Sequence, residues 1–416
     1  MEAHGCPGLC RAAPFAYHDR MKVKQRPEDF QVEELTSALP GKDGRFAFYR
    51  LDKTGWTTPD AFAAVRRRWQ IDLHRLSYGG LKDRHATTTQ FFTILHGPPR
   101  NLSHERIAIS YLGQRAEPYT AHDISANRFT ITLRALPASA VPAMVAAIQE
   151  VSQVGFPNYF DDQRFGSVSA PPEFVAKEMV FGRFERALWL ALAAPYAFDR
   201  AAERDEKQIL RSNWKEWPQA KTKLPRGHAR SLVDYLVTHP TDFKGAVARL
   251  RPDLQGLYLS AYQSHLWNQL LSAWLIDRVG RENLGLIDLK LGPAPVPLRM
   301  TEEQRGNWET LVLPLPSARM KAAVPAELKP LLDQVLSGEG LTLEELKIKG
   351  LQKPFFSKGD RPACIKPTNV LSEEGVDELQ TSKRKLILKF DLARGCYATM
   401  LIKRVSSPIT SPAPGP

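Results

Sequence analysis

Only four cysteines occur in 416 residues, and none forms the close CxxC pairs on which structural zinc sites are usually built. Neither a disulfide framework nor a zinc-held fold is expected. His4, Cys6, Cys10 and His18 lie near one another in sequence, but their spacing is irregular and no metal site is assigned to them. Long hydrophobic runs are also missing. The longest, ALWLALAAPYAF (187–198), is about a dozen residues where a bilayer helix needs roughly 20, so it reads as a buried core helix and no membrane partner is expected. The opening stretch MEAHGCPGLCRAAPFAYHDR lacks the apolar segment of a secretion signal, which points to a reducing, cytoplasmic setting. Cys364 and Cys396 then read as small core residues. No GxxxxGK[ST] loop and no strand–GxGxxG–helix pattern appears, so no nucleotide cofactor is implied.

What the chain has in excess is positive charge. It carries 57 Lys and Arg against 45 Asp and Glu, a net +12, which argues for a polyanionic partner such as nucleic acid. Hydrophobic residues at 43% and charged residues at 25% belong to a globular protein. The length suggests two domains, or one domain carrying a large insertion.

The coarse pattern changes along the chain. FAFYRLDK (46–53) reads as a strand, and TTPDAFAAVRRRWQI as a helix capped by Thr58 with Pro59 in its first turn. NRFTITLRAL (127–136) alternates Phe129, Ile131 and Leu133 with Thr130, Thr132 and Arg134, a strand with one wet face. VPAMVAAIQEVSQVG gives a helix through Met144, Ile148 and Val151 closed by Gly155. After about residue 160 the chain turns predominantly helical, with Leu259, Tyr262, Leu266, Leu270 and Ala273 on one stripe. Alternation returns in RKLILKFDL, where Leu386, Leu388, Phe390 and Leu392 share a face, and GCYATMLIKRV reads as the second strand of a late pair. That pair could complete a sheet begun at the N-terminus, making the middle an insertion. The expected division is an N-terminal extension 1–20, a discontinuous domain 21–157 and 358–405, an insertion 158–357, and a disordered Pro/Ser-rich tail 406–416.

GGLKDRHATTTQ (79–90) sets Asp83 between Lys82 and Arg84. In an extended segment side chains alternate, so both bases cannot pair with that acid; they suit phosphate, and the carboxylate needs a more distant cation to stay charged in a closed site. FPNYFDDQRFG (156–166) gathers aromatics with Asn158, Gln163 and Arg164, flat rings and amides of the kind that stack on and pair with nucleobases. Asp161 and Asp162 within it suggest either a general acid or magnesium site, or simply a helix cap and a solvated charge. RRRWQIDLHR (66–75) and RSNWKEWPQAKTKLPRGHAR (211–230) are basic stretches interleaved with aromatics, suited to phosphate unless they are only solvated faces.

Taken together and in order, RPEDFQVEEL, GGLKDRHATTTQ, FPNYFDDQRFG, YLSAYQSHLWN and RGCYATMLIKR closely resemble the TruD family of tRNA pseudouridine synthases, from about residue 21 to 405. The resemblance implies an α+β fold: a pseudouridine synthase catalytic domain, with a mixed or antiparallel sheet and helices, interrupted by a large, mainly helical RNA-binding insertion. It implies a cofactor-free isomerisation of a tRNA uridine, position 13 of the D arm in that family, and a monomer is expected. By motif position Asp83 matches the family carboxylate, either a nucleophile on the ribose or a base that yields a glycal. Lys24 matches the lysine paired with that Asp, Asn127 the family Asn, and Phe129 the aromatic stacked on the base. Gln163, Arg164, Tyr397 and Thr399 match residues near the RNA, although core packing and turn formation explain them as well. Ala126 stands where the family commonly has Gly, and Asp161 where Gly is frequent. His85 is given no role, since the reaction needs no imidazole.

Two other functions use the same residues. A tRNA-binding protein with a vestigial site would be expected to have lost Asp83, Lys24 or Phe129, and all three are present. An RNA N-glycosidase would share the carboxylate but release free base.

Overall fold

The computed structural model describes residues 21–196, 199–351 and 355–407, with only the backbone described at 321–323. The N-terminal extension with its His and Cys residues, and residues 408–416 of the expected tail, lie outside these. The described chain divides into two compact units. One runs to Gly155 and resumes at Ile365; the other is Phe156–Cys364, against expected breaks at 157/158 and 357/358.

The first unit is α+β. Its strands are β1 (Phe30–Thr36), β2 (Phe46–Thr54), β3 (Leu76–Tyr78), β4 (Thr87–Leu95), β5 (Leu102–His104), β6 (Ile107–Arg115), β7 (Ile124–Leu136), β8 (Thr368–Val376) and β9 (Arg384–Ala393). They form one nine-stranded sheet in the order β8-β9-β7-β1-β4-β2-β6-β5, with β3 on β4. Only the β1–β4 pairing is parallel. β9 lies beside β7, so the chain after Ile365 does complete a sheet begun before residue 36. Among the described residues three α-helices belong to this unit: α1 (Thr58–Trp69), α2 (Val141–Val154) and α3 (Ala398–Ser406). Phe62 and Val65 of α1 pack on Tyr49, Leu51, Phe92, Ile94, Ile107 and Ile109. The apolar residues of β2, β4 and β6 thus have a helix to bury against.

Several local expectations are corrected. The α1 cap is Thr57, whose side chain accepts the Asp60 N–H; Thr58 is the first helical residue and wholly buried. The polar side of β7 is not wet: Thr132 and Arg134 are buried, and Arg134 donates to Asp29, Asp377 and Glu378. The late strand pair is β8 with β9, whereas GCYATMLIKRV turns into α3. Its buried Ala398, Leu401, Ile402 and Val405 follow a helical period that outweighs short-range alternation. Ser406, assigned to the tail, closes that helix. Cys364 and Cys396 are half-buried rather than core residues.

The second unit is mainly helical, with short hairpins such as Leu284–Leu289 with Gly292–Pro297. Its long helix Pro252–Val279 buries far more than the expected stripe: Tyr258, Ala261, Trp267, Leu271 and Leu275 are buried as well. A helix covered on most sides is the centre of its unit, not a surface helix. In the described residues no helix is long and apolar enough to cross a membrane.

Candidate active site

Asp83 lies in the connection between β3 and β4, which holds no regular element. Its shape is set by buried groups beneath it. Thr58 Oγ1 accepts the Lys82 N–H at 3.0 Å and donates to Gln90 Oε1 at 2.8 Å, and Gln90 Nε2 donates to the Gly80 carbonyl at 3.3 Å. Lys53, at the end of β2 and 1% exposed, donates to the carbonyls of Trp56 at 2.8 Å and Asp83 at 2.9 Å, with that of Lys82 at 3.4 Å. Burial pushes its ammonium down to about 8, with the Asp83 charge opposing and Lys82 reinforcing the shift. Gly79 packs closely here: a Cβ would lie 2.4 Å from Ile124 Cδ1, so the Ile124 side chain would have to move.

On this loop the Asp83 carboxylate meets Lys24, Nζ to Oδ2 2.7 Å. Lys24 precedes β1 and sits in a bend, with φ 61 in the left-handed region. It is not on a strand. Backbone bonds between Lys22 and Arg134 hold one side of the bend, and the Arg26 N–H to Asp29 bond holds the other. The same ammonium lies 4.0 Å from the centre of the Phe30 ring, an arrangement that adds ring attraction to the ion pair. Phe30 meets Phe129 edge-on, and Phe129 stacks on Phe390 at 5.5 Å. Phe129 is 8% exposed, so a base stacked there would use the small part of the ring left uncovered.

Lys82 is engaged by groups other than Asp83. Its ammonium donates to Asn127 Oδ1 at 2.5 Å and lies 3.0 Å from Glu34 Oε2, an ion pair outside hydrogen-bonding angles. The other Glu34 oxygen accepts from the Tyr119 hydroxyl at 2.7 Å and the Phe91 N–H at 3.2 Å. Glu34 and Asn127 are cross-strand partners on β1 and β7. The buried Glu34 thus fixes Lys82, and Lys82 fixes the Asn127 amide.

Asp83, Lys24, Lys82, Asn127 and Phe129 therefore belong to one neighbourhood, with Arg84 and His85 exposed beside it. Tyr397 is half-buried just before α3. Asn158, Gln163 and Arg164 belong to the second unit. Asn158, read as a base contact, is buried there and its amide is engaged by Arg361 and by the Pro362 carbonyl. The Arg164 guanidinium lies over the Phe160 ring. Asp161 is buried at the N-cap of a short turn and its side chain makes no cap bond there, while Asp162 accepts the Lys290 N–H of a hairpin turn at 2.8 Å.

Lys53 and Thr58 lie outside the family motifs and Glu34 lies within one, RPEDFQVEEL; two of the three leave a further signal in the sequence. Lys53 continues the apolar face Ala47, Tyr49 and Leu51, and Glu34 continues Phe30 and Val32. A charge in phase with a buried face needs a partner.

The family model of tRNA pseudouridine synthase D (TruD) matches residues 19–284 and 298–405. The chain belongs to the TruD family. It is 30% identical over 92% of its length to the "Probable tRNA pseudouridine synthase D 2" of Methanocaldococcus jannaschii, covering 91% of that protein. It is 28% identical to the tRNA pseudouridine synthase D of Leptospira interrogans, over 94% of this chain and 97% of that one. A TruD crystal structure from Methanosarcina mazei superimposes with a TM-score of 0.69 at 26% identity, covering 92% of this chain and 93% of the other. TruD relatives in bacteria and archaea thus match both parts of the chain, the sheet unit and the helical unit.

Proposed function

We propose that this TruD-family chain converts a tRNA uridine to pseudouridine, uridine 13 of the D arm being the target, with Asp83 acting on the ribose of a flipped-out nucleotide. The observation that carries this reading is the Lys24–Asp83 ion pair beside the Lys82–Asn127 contact. In the reaction the N1–C1′ bond breaks, uracil turns while held, and C5 bonds to C1′. The C5 hydrogen leaves to solvent and N1 gains one, so composition is unchanged.

Asp83 supports two routes. As nucleophile it forms an ester at C1′ that the C5 of uracil then displaces; as base it removes the C2′ proton to leave a glycal. Deuterium at C2′ separates them, since only the second breaks that bond. Lys24 is the counter-ion that holds the carboxylate. Lys82 can only donate, so the Asn127 oxygen faces it and the Asn127 NH2 remains for a uracil carbonyl. Phe129 offers an apolar edge that does not resist turning. Arg84 suits phosphate, and Gln163, Arg164 and Tyr397 are further candidates for RNA contact.

The test is single-turnover reaction with tRNA containing 5-tritiated uridine. Isomerisation releases tritium to water and leaves pseudouridine in the chain. Release of labelled uracil would instead identify an N-glycosidase, and binding without release a non-catalytic protein.

A further inference from the structure

Leu81, two residues before Asp83, is 67% exposed. A lone exposed leucine is ordinary, but this one differs in how its backbone is held. The Gly80 carbonyl is fixed by Gln90, the Lys82 N–H by Thr58, and the Asp83 carbonyl by Lys53. Thr58, Gln90 and Lys53 are each at most 1% exposed. The loop cannot draw Leu81 onto the body of the sheet without breaking bonds to buried groups. Lys82, the residue between, turns inward with a side chain only 10% exposed. A pinned loop therefore holds an apolar side chain out to solvent next to the candidate carboxylate.

We propose that Leu81 is a wedge that enters the RNA base stack and fills the space left when the target uridine turns out toward Asp83. This rests on the isomerase reading given above. Flipping leaves a gap between neighbouring bases, and an apolar side chain placed in it restores contact with their faces and sheds its own water. Rigidity serves the role, because a side chain on a yielding loop would be pushed aside by the stack. Arg84 and His85, exposed on the same loop, flank the wedge where phosphates of the distorted strand would pass. Leu81 acts on the position of the base and takes no part in bond making.

The test compares Leu81→Ala, Leu81→Asn and Leu81→Met with the unmodified chain on tRNA bearing tritiated uridine, and on the same tRNA with 2-aminopurine next to the converted uridine. Turnover should fall about tenfold or more for Ala and for the near-isosteric Asn, and stay within about threefold for Met. The rise in 2-aminopurine fluorescence on binding, which reports unstacking, should be lost with Ala and Asn and kept with Met. Melting temperatures should not move, since the side chain is exposed. An Ala variant with unchanged turnover and fluorescence overturns the wedge, as does loss of turnover in all three variants with fluorescence unaltered. If the unmodified chain makes no pseudouridine in any tRNA, the isomerase reading fails and the wedge with it; product together with an indifferent Ala variant removes the wedge alone.

Discussion

The ammonium of Lys53 lies 2.9 Å from the backbone carbonyl oxygen of Asp83, so the loop that carries the candidate carboxylate is gripped from below by a buried charge. Lys53→Met removes the donor that the Trp56, Lys82 and Asp83 carbonyls share. Because small displacements of a reacting group can cost about 100-fold in rate, single-turnover isomerisation should fall at least about tenfold. Filter-binding affinity for tRNA should stay within about twofold. Equal loss of both would mean that Lys53 supports the fold as a whole and not the position of Asp83.

The same lysine is expected to set an alkaline limit on turnover. With its pKa pushed down to about 8, Lys53 loses its third hydrogen in mildly alkaline solution, and the loop loses a donor. Turnover should decline as pH rises through about 8. The folded-state pKa is below the unfolded value, so between about 8 and 10.5 the unfolded chain binds more protons here. This group's contribution to stability therefore increases with pH over that window. A fall in activity accompanied by a parallel fall in melting temperature would assign the limit to unfolding.

The Lys24–Asp83 partnership is legible in sequence because a carboxylate between two bases calls for a more distant cation and a family motif supplies Lys24. The two charges that shape the site, Lys53 and Glu34, are hidden for a physical reason. Each sits on a strand face that is otherwise apolar, and the partner that ties it to the site lies tens of residues away: Asp83 for Lys53, Tyr119 and Phe91 for Glu34. Thr58 is visible but misleading, since a threonine before proline looks like a cap until its neighbour Thr57 is seen to accept the Asp60 N–H. The wet face expected for β7 fails at Arg134, whose acidic partners Asp377 and Glu378 come from the far end of the chain.

In the helical unit, Glu339 accepts hydrogen bonds from Lys177 at 2.8 Å and the Tyr262 hydroxyl at 3.1 Å, with His265 at 3.4 Å and Gln269 at 3.3 Å. Burial acts to raise its pKa, but the His265 and Lys177 donors outweigh this and hold it at about 2, below the usual 4.5. The group thus stabilises the fold above about pH 4.5, and that contribution is lost as pH falls from 4.5 toward 2. After screening it is on the order of 2 kcal/mol. Glu339→Gln should lower the melting temperature by several degrees at neutral pH. Calorimetry across pH should show the gap between variant and parent closing below about pH 3, and a gap independent of pH would contradict this assignment.

Arg67 and Arg68 are exposed at the end of α1, whereas Arg66 donates to the Ile71 carbonyl. If the two outer side chains meet phosphates, replacing both by Ala should weaken tRNA binding and reduce the slope of log affinity against log salt by about one for each phosphate that is no longer neutralised. The turnover of bound tRNA should be unaltered. A salt slope identical to that of the parent would leave these arginines to solvent.

The proposed chemistry rests on the Asp83 carboxylate, held by Lys24, acting on the ribose. Asp83→Asn keeps the shape of the side chain and removes its charge. The decisive measurement is tritium release from 5-tritiated tRNA by this variant at saturating enzyme, with binding to the same tRNA followed in parallel. Affinity for tRNA should stay within a few fold of the parent, with no detectable release. Release at a rate close to that of the parent would contradict this chemistry, and would place the acting group elsewhere in the chain.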